Sequence, residues 1–365
     1  MGCGMIWIRA DANGEIGTGH VMRCISVAQA LKRRGQQVCF ITADDSAAPV
    51  LERSGQEYRV LHSDFRHMEG ELPGLRRLLS EGAPDFFLAD SYFVTHSYLR
   101  EIRRSVPVGI LDDMVLTDLP ADLLINYNIF ADASLYGAAA DGVEAAGAGK
   151  VRACVPGAGA VCGEYLLGTD YVPLRGEFQG VEYSVRKKAE TVLITTGGSD
   201  RYGIAGLLLR KALADPGACA LRYLVVSGAY NAHLPELKEL EGRYENVHVL
   251  CNVGNMSELM GESDIAVSAG GSTMYELSAV GVPVICFSFV ENQERLVRGF
   301  AEKKLTCFAG DYLVQGEAMA DEAVSHIMRL AADYELRRDY SARLRALVDG
   351  RGAGRIAERV SAWGE

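Results

Sequence analysis

No stretch of this sequence approaches the roughly 18 uninterrupted apolar residues of a membrane-spanning helix. Residues 1–8 also lack the basic and long apolar regions of a secretory signal, so we expect a cytoplasmic protein with no membrane partner. Positive charge is not in excess: 37 Lys and Arg stand against 48 Asp and Glu, for a net charge of −11. This balance argues against a nucleic-acid partner, which requires clustered basic residues.

Several motifs that carry specific chemistries are also missing. The sequence contains no G-x-x-x-x-G-K-[ST], no clean G-x-G-x-x-G after a strand and no G-x-S-x-G, which disfavours P-loop nucleotide hydrolysis and serine hydrolase chemistry. It has no D-x-D, C-x-x-C or H-E-x-x-H, so we predict neither a metal site nor a cofactor. The nine cysteines are an odd number, several of them in apolar runs, which indicates reduced core residues.

What is present indicates a globular chain of two domains. At 365 residues, with 48% apolar and 23% charged residues, the chain exceeds the usual size of a single core. Short β-branched runs alternate with helical patterns, which is typical of parallel sheets covered on both faces. We predict an α/β fold of the glycosyltransferase-B type, with two Rossmann-like domains facing across a cleft. The predicted domains are residues 1–172, residues 188–332 and C-terminal helices over 333–365 that pack back on the first domain.

The alternation also gives element positions. A helix is predicted over 20–34, and residues 131–159, rich in Ala and Gly, are predicted as a loop or a mobile helix. The predicted strands are 5–10, 38–42, 58–61, 86–89, 108–111 and 123–125 in the first half, and 191–195, 221–226, 247–250, 265–268 and 284–287 in the second.

The turn after the first strand carries the sharpest candidate, His20. Because ligands bind beyond the carboxyl ends of parallel strands, polar residues in this turn face the predicted site. Gly17 and Gly19 permit close backbone approach, and His20 falls on the first turn of the next helix. The positive helix end favours the neutral imidazole, so we predict His20 as a catalytic base, the alternative being a capping or packing histidine. Asp11, Gly17, Thr18 and Gly19 are predicted substrate contacts.

Two further strands of the first half end in carboxylates. Asp90 and Tyr92 follow the fourth strand, and Asp112 and Asp113 follow the fifth. We predict Asp90 and Tyr92 as substrate contacts. An aspartate at such a position also commonly caps a helix or a turn, and that alternative stays open.

Two glycine turns in the second half are candidates for phosphate binding. Each follows a strand and opens a helix, whose N-terminal N–H groups bind anions. In the second turn Glu276 lies one helical turn beyond Ser272, within reach of a ribose diol, and the alternative is an ordinary capped helix. Asn292 and Gln293 follow the next strand and are predicted substrate contacts. The predicted UDP contacts are Gly197, Gly198, Ser199, Asn255, Met256, Gly271, Ser272, Thr273 and Glu276.

The sequence resembles a known family at these positions. The segments that carry the resemblance are residues 9–24, 88–92, 166–171, 196–200 and 269–273. They resemble the UDP-2,4-diacetamido-2,4,6-trideoxy-β-L-altropyranose hydrolases of pseudaminic acid biosynthesis. The resemblance implies the glycosyltransferase-B architecture, with the nucleotide held mainly by the C-terminal half. A base on one side of the anomeric carbon and a phosphate-binding turn on the other predict inversion at that carbon. The resemblance also implies that His20 is the catalytic histidine and that Asn292 lies near the sugar phosphate.

Two other functions remain open from the sequence. A glycosyltransferase of the same fold would replace water with an acceptor hydroxyl, and a sugar-nucleotide sensor would keep the binding turns without turnover. The expected partner is a small-molecule UDP-sugar, and we expect a monomer.

Overall fold

The computed structural model describes residues 4–136, 143–146, 150–153, 162–228 and 231–363. The chain forms two compact units. The first comprises Met1–Arg175 and Arg351–Glu365, and the second comprises Gly176–Gly350. Each unit has its own sheet and its own core.

The first unit contains a sheet of nine strands in the order β3-β2-β1-β4-β5-β6-β9-β8-β7. The strands from β3 to β9 in that order pair in parallel, and β8 and β7 continue the sheet as an antiparallel hairpin. The strands are β1 (Met5–Ala10), β2 (Gln37–Thr42), β3 (Glu57–Val60), β4 (Phe86–Asp90), β5 (Val108–Leu111), β6 (Ala121–Asn126), β7 (Val143–Ala146), β8 (Lys150–Ala153) and β9 (Cys162–Leu167). The helices are α1 (Gly19–Arg33), α2 (Ala48–Arg53), α3 (Leu72–Gly82), α4 (His96–Arg103) and α13 (Gly352–Ser361).

The second unit contains six parallel strands in the order β12-β11-β10-β13-β14-β15. The strands are β10 (Thr191–Thr195), β11 (Arg222–Ser227), β12 (Val247–Cys251), β13 (Ile265–Ala269), β14 (Val284–Ser288) and β15 (Cys307–Asp311). The helices are α5 (Ile204–Ala214), α6 (Leu234–Arg243), α7 (Met256–Gly261), α8 (Ser272–Val280), α9 (Glu291–Glu302), α10 (Tyr312–Gln315), α11 (Glu317–Ala332) and α12 (Tyr334–Leu347).

The packing of these elements follows their residue patterns. The central strands are apolar and buried on both faces, as parallel strands between helical layers must be. Helix α1 ends where Gly35 adopts a left-handed backbone (φ +84°) that glycine accepts without strain. Of the C-terminal helices, α12 packs on α8 in the second unit, whereas α13 packs on α1 in the first.

In both sheets the direction of the strand order reverses at the first strand of the unit, β1 or β10. In the first unit β1 lies between β2 and β4, and in the second β10 lies between β11 and β13. Connections leave β1 and β4 towards opposite sides, which opens a crevice at their carboxyl ends where ligands bind in such sheets. This reversal determines where candidate site residues can meet within each unit.

The prediction of a loop or helix over residues 131–159 agrees with the loop and short 3-10 helix at 131–136 but is wrong at two strands. Residues 143–146 and 150–153 are the strands β7 and β8, which pair with each other, and β8 also pairs with β9. In the sequence, Val151 lies between the charged residues Lys150 and Arg152, a pattern that is compatible with a strand. The high Ala and Gly content of the surrounding stretch hid this pattern. The other parts of that stretch, 137–142, 147–149 and 154–159, lie outside the described residues.

Candidate active site and nucleotide-binding turns

His20 lies on the first turn of α1, after a loop that closes on itself. The Gly17 N–H donates to the Asn13 carbonyl at 2.9 Å, and the Asn13 side chain accepts the Glu15 N–H at 2.9 Å. Gly17 adopts a left-handed backbone (φ +72°), which favours glycine. The loop holds His20 at the carboxyl end of β1, where the residue is 4% exposed.

Asp90, the last residue of β4, is the partner of His20. Strands β1 and β4 are paired, and Asp90 lies opposite Ala10 in their register. Nδ1 of His20 is 2.6 Å from Oδ1 of Asp90. Because an ionised carboxylate only accepts hydrogen bonds, Nδ1 carries the proton of this bond, and Nε2 of a neutral ring keeps its lone pair. The arrangement fixes the tautomer that a general base requires.

Arg23, one helical turn after His20, connects this pair to the next strands. Its Nε donates to Oδ2 of Asp90 at 2.6 Å, and its other nitrogens donate to Asp90, to Asp113 and to the Tyr127 hydroxyl. Sequence reasoning did not select Arg23, although its i, i+3 spacing from His20 places both side chains on one face of α1.

The carboxylate of Asp90 stays charged in this site. Burial alone raises the pKa of a carboxyl group, but the charges of Arg23 and His20 outweigh burial and hold the pKa of Asp90 well below its usual value. Burial and the neighbouring Asp90 raise the pKa of the Cys24 thiol, whose sulfur donates to Asp90 Oδ2 at 3.3 Å. Asp90 therefore accepts hydrogen bonds from three residues of α1.

Asp90 and Tyr92, both predicted substrate contacts, differ in exposure. Asp90 is 1% exposed, and both of its oxygens accept hydrogen bonds from α1. Tyr92, in contrast, is 39% exposed, and its ring meets that of His20 edge to face at 4.3 Å between centroids. Tyr92 therefore remains positioned for a substrate contact, beside Met114 in the small pocket that His20 lines.

Asp11, also a predicted substrate contact, is engaged within the first unit. Its Oδ1 accepts the Ala43 N–H at 2.7 Å, and its Oδ2 pairs with the buried guanidinium of Arg9 at 2.5 Å. Arg9 pairs on its other side with Glu71, which is also buried. Asp11 thus ties the end of β1 to the end of β2, and both of its oxygens are engaged.

Thr18 and Gly19 lie at the N-terminus of α1 near His20. Thr18 is half-buried, Gly19 is exposed, and the Thr18 side chain makes no capping hydrogen bond. No acidic residue lies in the first turn of α1. The first turn of α1 therefore presents backbone N–H groups without a side-chain cap.

The glycine turn after β10 is exposed at residues 197–199, and its backbone is tightly constrained. Gly197 has φ +89°, and a Cβ on Gly228 would come within 2.2 Å of the Gly198 carbonyl oxygen. Asp200 accepts the N–H groups of Ile204 and Ala205 at 2.9 and 3.2 Å. Because this carboxylate occupies the N-terminus of α5, that helix end is closed to a phosphate, and only the turn itself remains available.

The turn after β13 differs in this respect. Helix α8 begins at Ser272 with neither a side-chain cap nor an acidic residue in its first turn. Ser272 is exposed, and Thr273 and Glu276 are half-buried. A Cβ on Gly270 would lie 2.6 Å from Val297, so glycine is required for the close packing of this turn on α9. Of the two glycine turns, this one offers the uncapped helix end that an anion prefers.

Three other predicted contacts are engaged within the second unit. Oδ1 of Asn255 caps α7 by accepting the Ser257 N–H at 3.1 Å, and the Met256 N–H donates to Glu177 at 3.0 Å. Oε1 of Gln293 accepts the Phe289 N–H at 3.1 Å. The Asn255 and Gln293 side-chain oxygens and the Met256 N–H therefore each have a partner within this unit. Asn292 lies on α9, and its side chain is outside the described residues.

Two kinds of structural feature do not occur in the described ranges. Within them, no group of three or more His, Cys, Asp or Glu side chains is arranged to hold a metal ion. Among the helices in that part of the chain, none combines the length and apolar character needed to cross a bilayer.

The chain is distantly similar to two known proteins, and each match covers 96% of the relative. No family model matches the chain. The spore coat polysaccharide biosynthesis protein SpsG of Bacillus subtilis is 26% identical over 354 residues, 96% of each chain. The UDP-2,4-diacetamido-2,4,6-trideoxy-β-L-altropyranose hydrolase of Campylobacter jejuni is 23% identical over 307 residues, covering 82% of this chain and 96% of the hydrolase.

Solved structures establish the fold. MurG from Acinetobacter baumannii superposes with a TM-score of 0.67 at 12% identity, covering 99% of this chain and 100% of MurG. The two parallel sheets described above agree with this match. The chain has the α/β glycosyltransferase-B fold with two Rossmann-like units, so the predicted fold class is confirmed.

Proposed function

We propose that the protein hydrolyses a UDP-sugar, with His20 as the general base that activates water. The hydrogen bond between His20 Nδ1 and Asp90 Oδ1, 2.6 Å long in a buried site, is the observation that carries the proposal. It orients the ring and leaves Nε2 as the proton acceptor. Asp90 is charged and can stabilise the imidazolium that forms when His20 takes the proton.

The proposed reaction is a single displacement. Nε2 of His20 takes a proton from water while the water oxygen bonds to the anomeric carbon of the sugar. The bond between that carbon and the diphosphate oxygen breaks, and its electron pair leaves with UDP. One displacement inverts the anomeric configuration, and the products are UDP and the free sugar.

We further propose that the second unit binds the UDP moiety. The uncapped N-terminus of α8 at Ser272 and Thr273 supplies N–H groups for the diphosphate, with the exposed turn at Gly197 to Ser199 as a second contact. Glu276, one turn along α8, accepts hydrogen bonds from the ribose hydroxyls. UDP is a good leaving group, and the helix end stabilises its growing negative charge.

Glu276→Ala is expected to weaken UDP binding by about 1.5–3 kcal/mol, because a buried ribose hydroxyl loses a charged partner. Calorimetric titration of UDP against both proteins measures the change. Glu239→Ala, which removes an exposed glutamate paired with Arg243 on α6, is the matched control and should leave affinity unchanged. Wild-type affinity in the Glu276 variant would remove Glu276 from the site.

For the sugar, we propose the 2,4-diacetamido-2,4,6-trideoxy-β-L-altropyranosyl group. Two lines support this choice: the resemblance of the segment around His20, and the 23% identity to the Campylobacter jejuni hydrolase over 82% of this chain. The net negative charge of the protein does not conflict with this anionic substrate. Backbone N–H groups at a helix N-terminus bind phosphate, and they do not contribute to the net charge.

A panel of UDP-sugars, incubated with the protein and no acceptor, tests this function. We expect release of UDP and free sugar, fastest with the diacetamido trideoxy sugar. Release that occurs only when an acceptor alcohol is added identifies a glycosyltransferase instead. Saturable UDP-sugar binding without any release identifies a sensor.

A further inference from the structure

Arg23 lies at the centre of a closed group of charged and polar side chains, which we name the His20 cluster: His20, Arg23, Asp90, Asp113 and Tyr127. Its guanidinium contacts both oxygens of Asp90, and it also pairs with Asp113 and with the Tyr127 hydroxyl. One of its terminal nitrogens is 3.0 Å from Nδ1 of His20. Arg23 therefore touches every other member of the cluster.

The charges in this cluster act on His20 in opposite directions. The Asp90 carboxylate at 2.6 Å favours the imidazolium form, and a histidine that is already protonated cannot act as a base. The Arg23 guanidinium disfavours the imidazolium, both by direct repulsion and by sharing the Asp90 charge. These side chains are largely removed from water, with 4, 0 and 11% exposure for His20, Asp90 and Arg23, so the charges are weakly screened.

The remaining titratable groups around His20 do not alter this balance at neutral pH. Burial raises the pKa of Tyr127, Tyr92 and Cys24, so these groups stay uncharged. Asp112 and Asp113, from the loop after β5, also line the pocket. Asp112 accepts hydrogen bonds from the Met114 and Leu116 N–H groups and from the Tyr136 hydroxyl, whereas Asp113 pairs with Arg23. The net charge felt by the imidazole thus depends on Asp90, Arg23 and the two aspartates after β5.

We propose that Arg23 is a positioning residue that keeps His20 unprotonated while Asp90 still holds Nδ1. This inference deepens the proposed function, since it assumes that His20 is the base. Arg23 shares the Asp90 charge in the resting state, and Asp113, in the loop after β5, holds the guanidinium in place by pairing with it. Asp90 can then orient the ring without protonating it before substrate binds.

The test is an NMR titration of the His20 imidazole in the intact protein without substrate, with the resonance assigned by its loss in His20→Asn. In Arg23→Gln the titration midpoint should move to higher pH by about one to two units, because the repelling charge is gone and Asp90 is uncompensated. Arg23→Lys keeps a positive charge and should largely preserve the midpoint. Arg104→Gln, which removes an exposed arginine paired with Glu101 on α4, is the control.

A second variant should shift the titration midpoint of His20 in the opposite direction. It also keeps the proposal testable if Arg23→Gln does not fold. Asp113→Asn leaves Arg23 with Asp90 as its only carboxylate and removes a negative charge from the cluster, so the midpoint should move to lower pH. An unchanged midpoint in folded Arg23→Gln, or an unchanged or raised midpoint in Asp113→Asn, overturns the proposal.

The same series separates this inference from the proposed function. If the protein hydrolyses UDP-sugars, the acidic limb of the kcat/KM profile, which reports the free enzyme, should move with the NMR midpoint in each variant. A midpoint that moves as expected in a protein without hydrolase activity supports the charge balance and rejects only the reaction. Loss of activity without any shift of the limb or the midpoint identifies Arg23 as merely structural.

Discussion

Replacing His20 with asparagine is expected to lower kcat by about 10²–10⁴-fold, the usual contribution of a general base, while UDP affinity stays unchanged. Asparagine keeps a polar side chain near Asp90 but has no basic nitrogen to accept the proton of water. The binding turns of the second unit are untouched by this change. Steady-state kinetics with the UDP-sugar, together with calorimetric titration of UDP, separate the two effects.

The matched control for this variant is His67→Asn. His67 is exposed and pairs with Asp64 on the surface of the first unit, so its loss should leave kcat unchanged. Near wild-type turnover in His20→Asn means that His20 is a packing residue at a glycine turn, and the proposed mechanism is then wrong.

Asp90→Asn is the second large effect that we expect, with kcat lower by about 10²-fold or more. The imidazolium formed in the transition state loses a buried charged hydrogen bond, and a neutral amide can also orient the ring in the wrong tautomer. Kinetics at a temperature where the variant is folded, checked by circular dichroism, measure the effect. The check is needed because Arg23 then keeps a buried charge with one carboxylate fewer.

Asp113→Asn is the matched comparison for Asp90→Asn. Both aspartates pair with Arg23, but Asp90 alone of the two contacts His20 in the described hydrogen bonds. The loss in kcat should therefore be much smaller at position 113. Equal losses at both positions would mean that Asp90 acts only by holding Arg23.

The sequence predicted the elements that local patterns determine. The central strands are apolar runs buried on both faces, and their predicted bounds lie close to those observed for β1 and β10. The position of His20 followed from the same logic, since a histidine in a Gly-rich turn after a strand lies at the carboxyl edge of a parallel sheet. These features depend on a few neighbouring residues, which is why one sequence sufficed.

The contacts between side chains of the site could not be predicted, because they depend on the order of the strands in the sheet. Asp90 meets His20 only because β4 pairs with β1, although 70 residues separate the two side chains. Asp11 and Asp90 looked equivalent as carboxylates at strand ends. Their neutralisation by Arg9 and Arg23 becomes visible only when the first unit is folded.

Helix ends show the same limit of local reasoning. The turns at Gly197 and Gly271 have similar sequences, and both are predicted to bind UDP, with the stronger signal in the second. In the structure Asp200 adopts a positive φ of +41° and caps α5, whereas α8 has no side-chain cap. Whether an aspartate caps its own helix depends on backbone angles that the residue pattern does not determine.

Hydrolysis of the UDP-sugar in water enriched in ¹⁸O, with no acceptor present, tests the central claim most directly. Attack of water at the anomeric carbon places the new oxygen on the sugar, so mass spectrometry should find unlabelled UDP released at the rate of free sugar. His20→Asn should reduce that rate about 10²–10⁴-fold. Label in UDP, or no UDP release until an acceptor alcohol is supplied, would contradict the account.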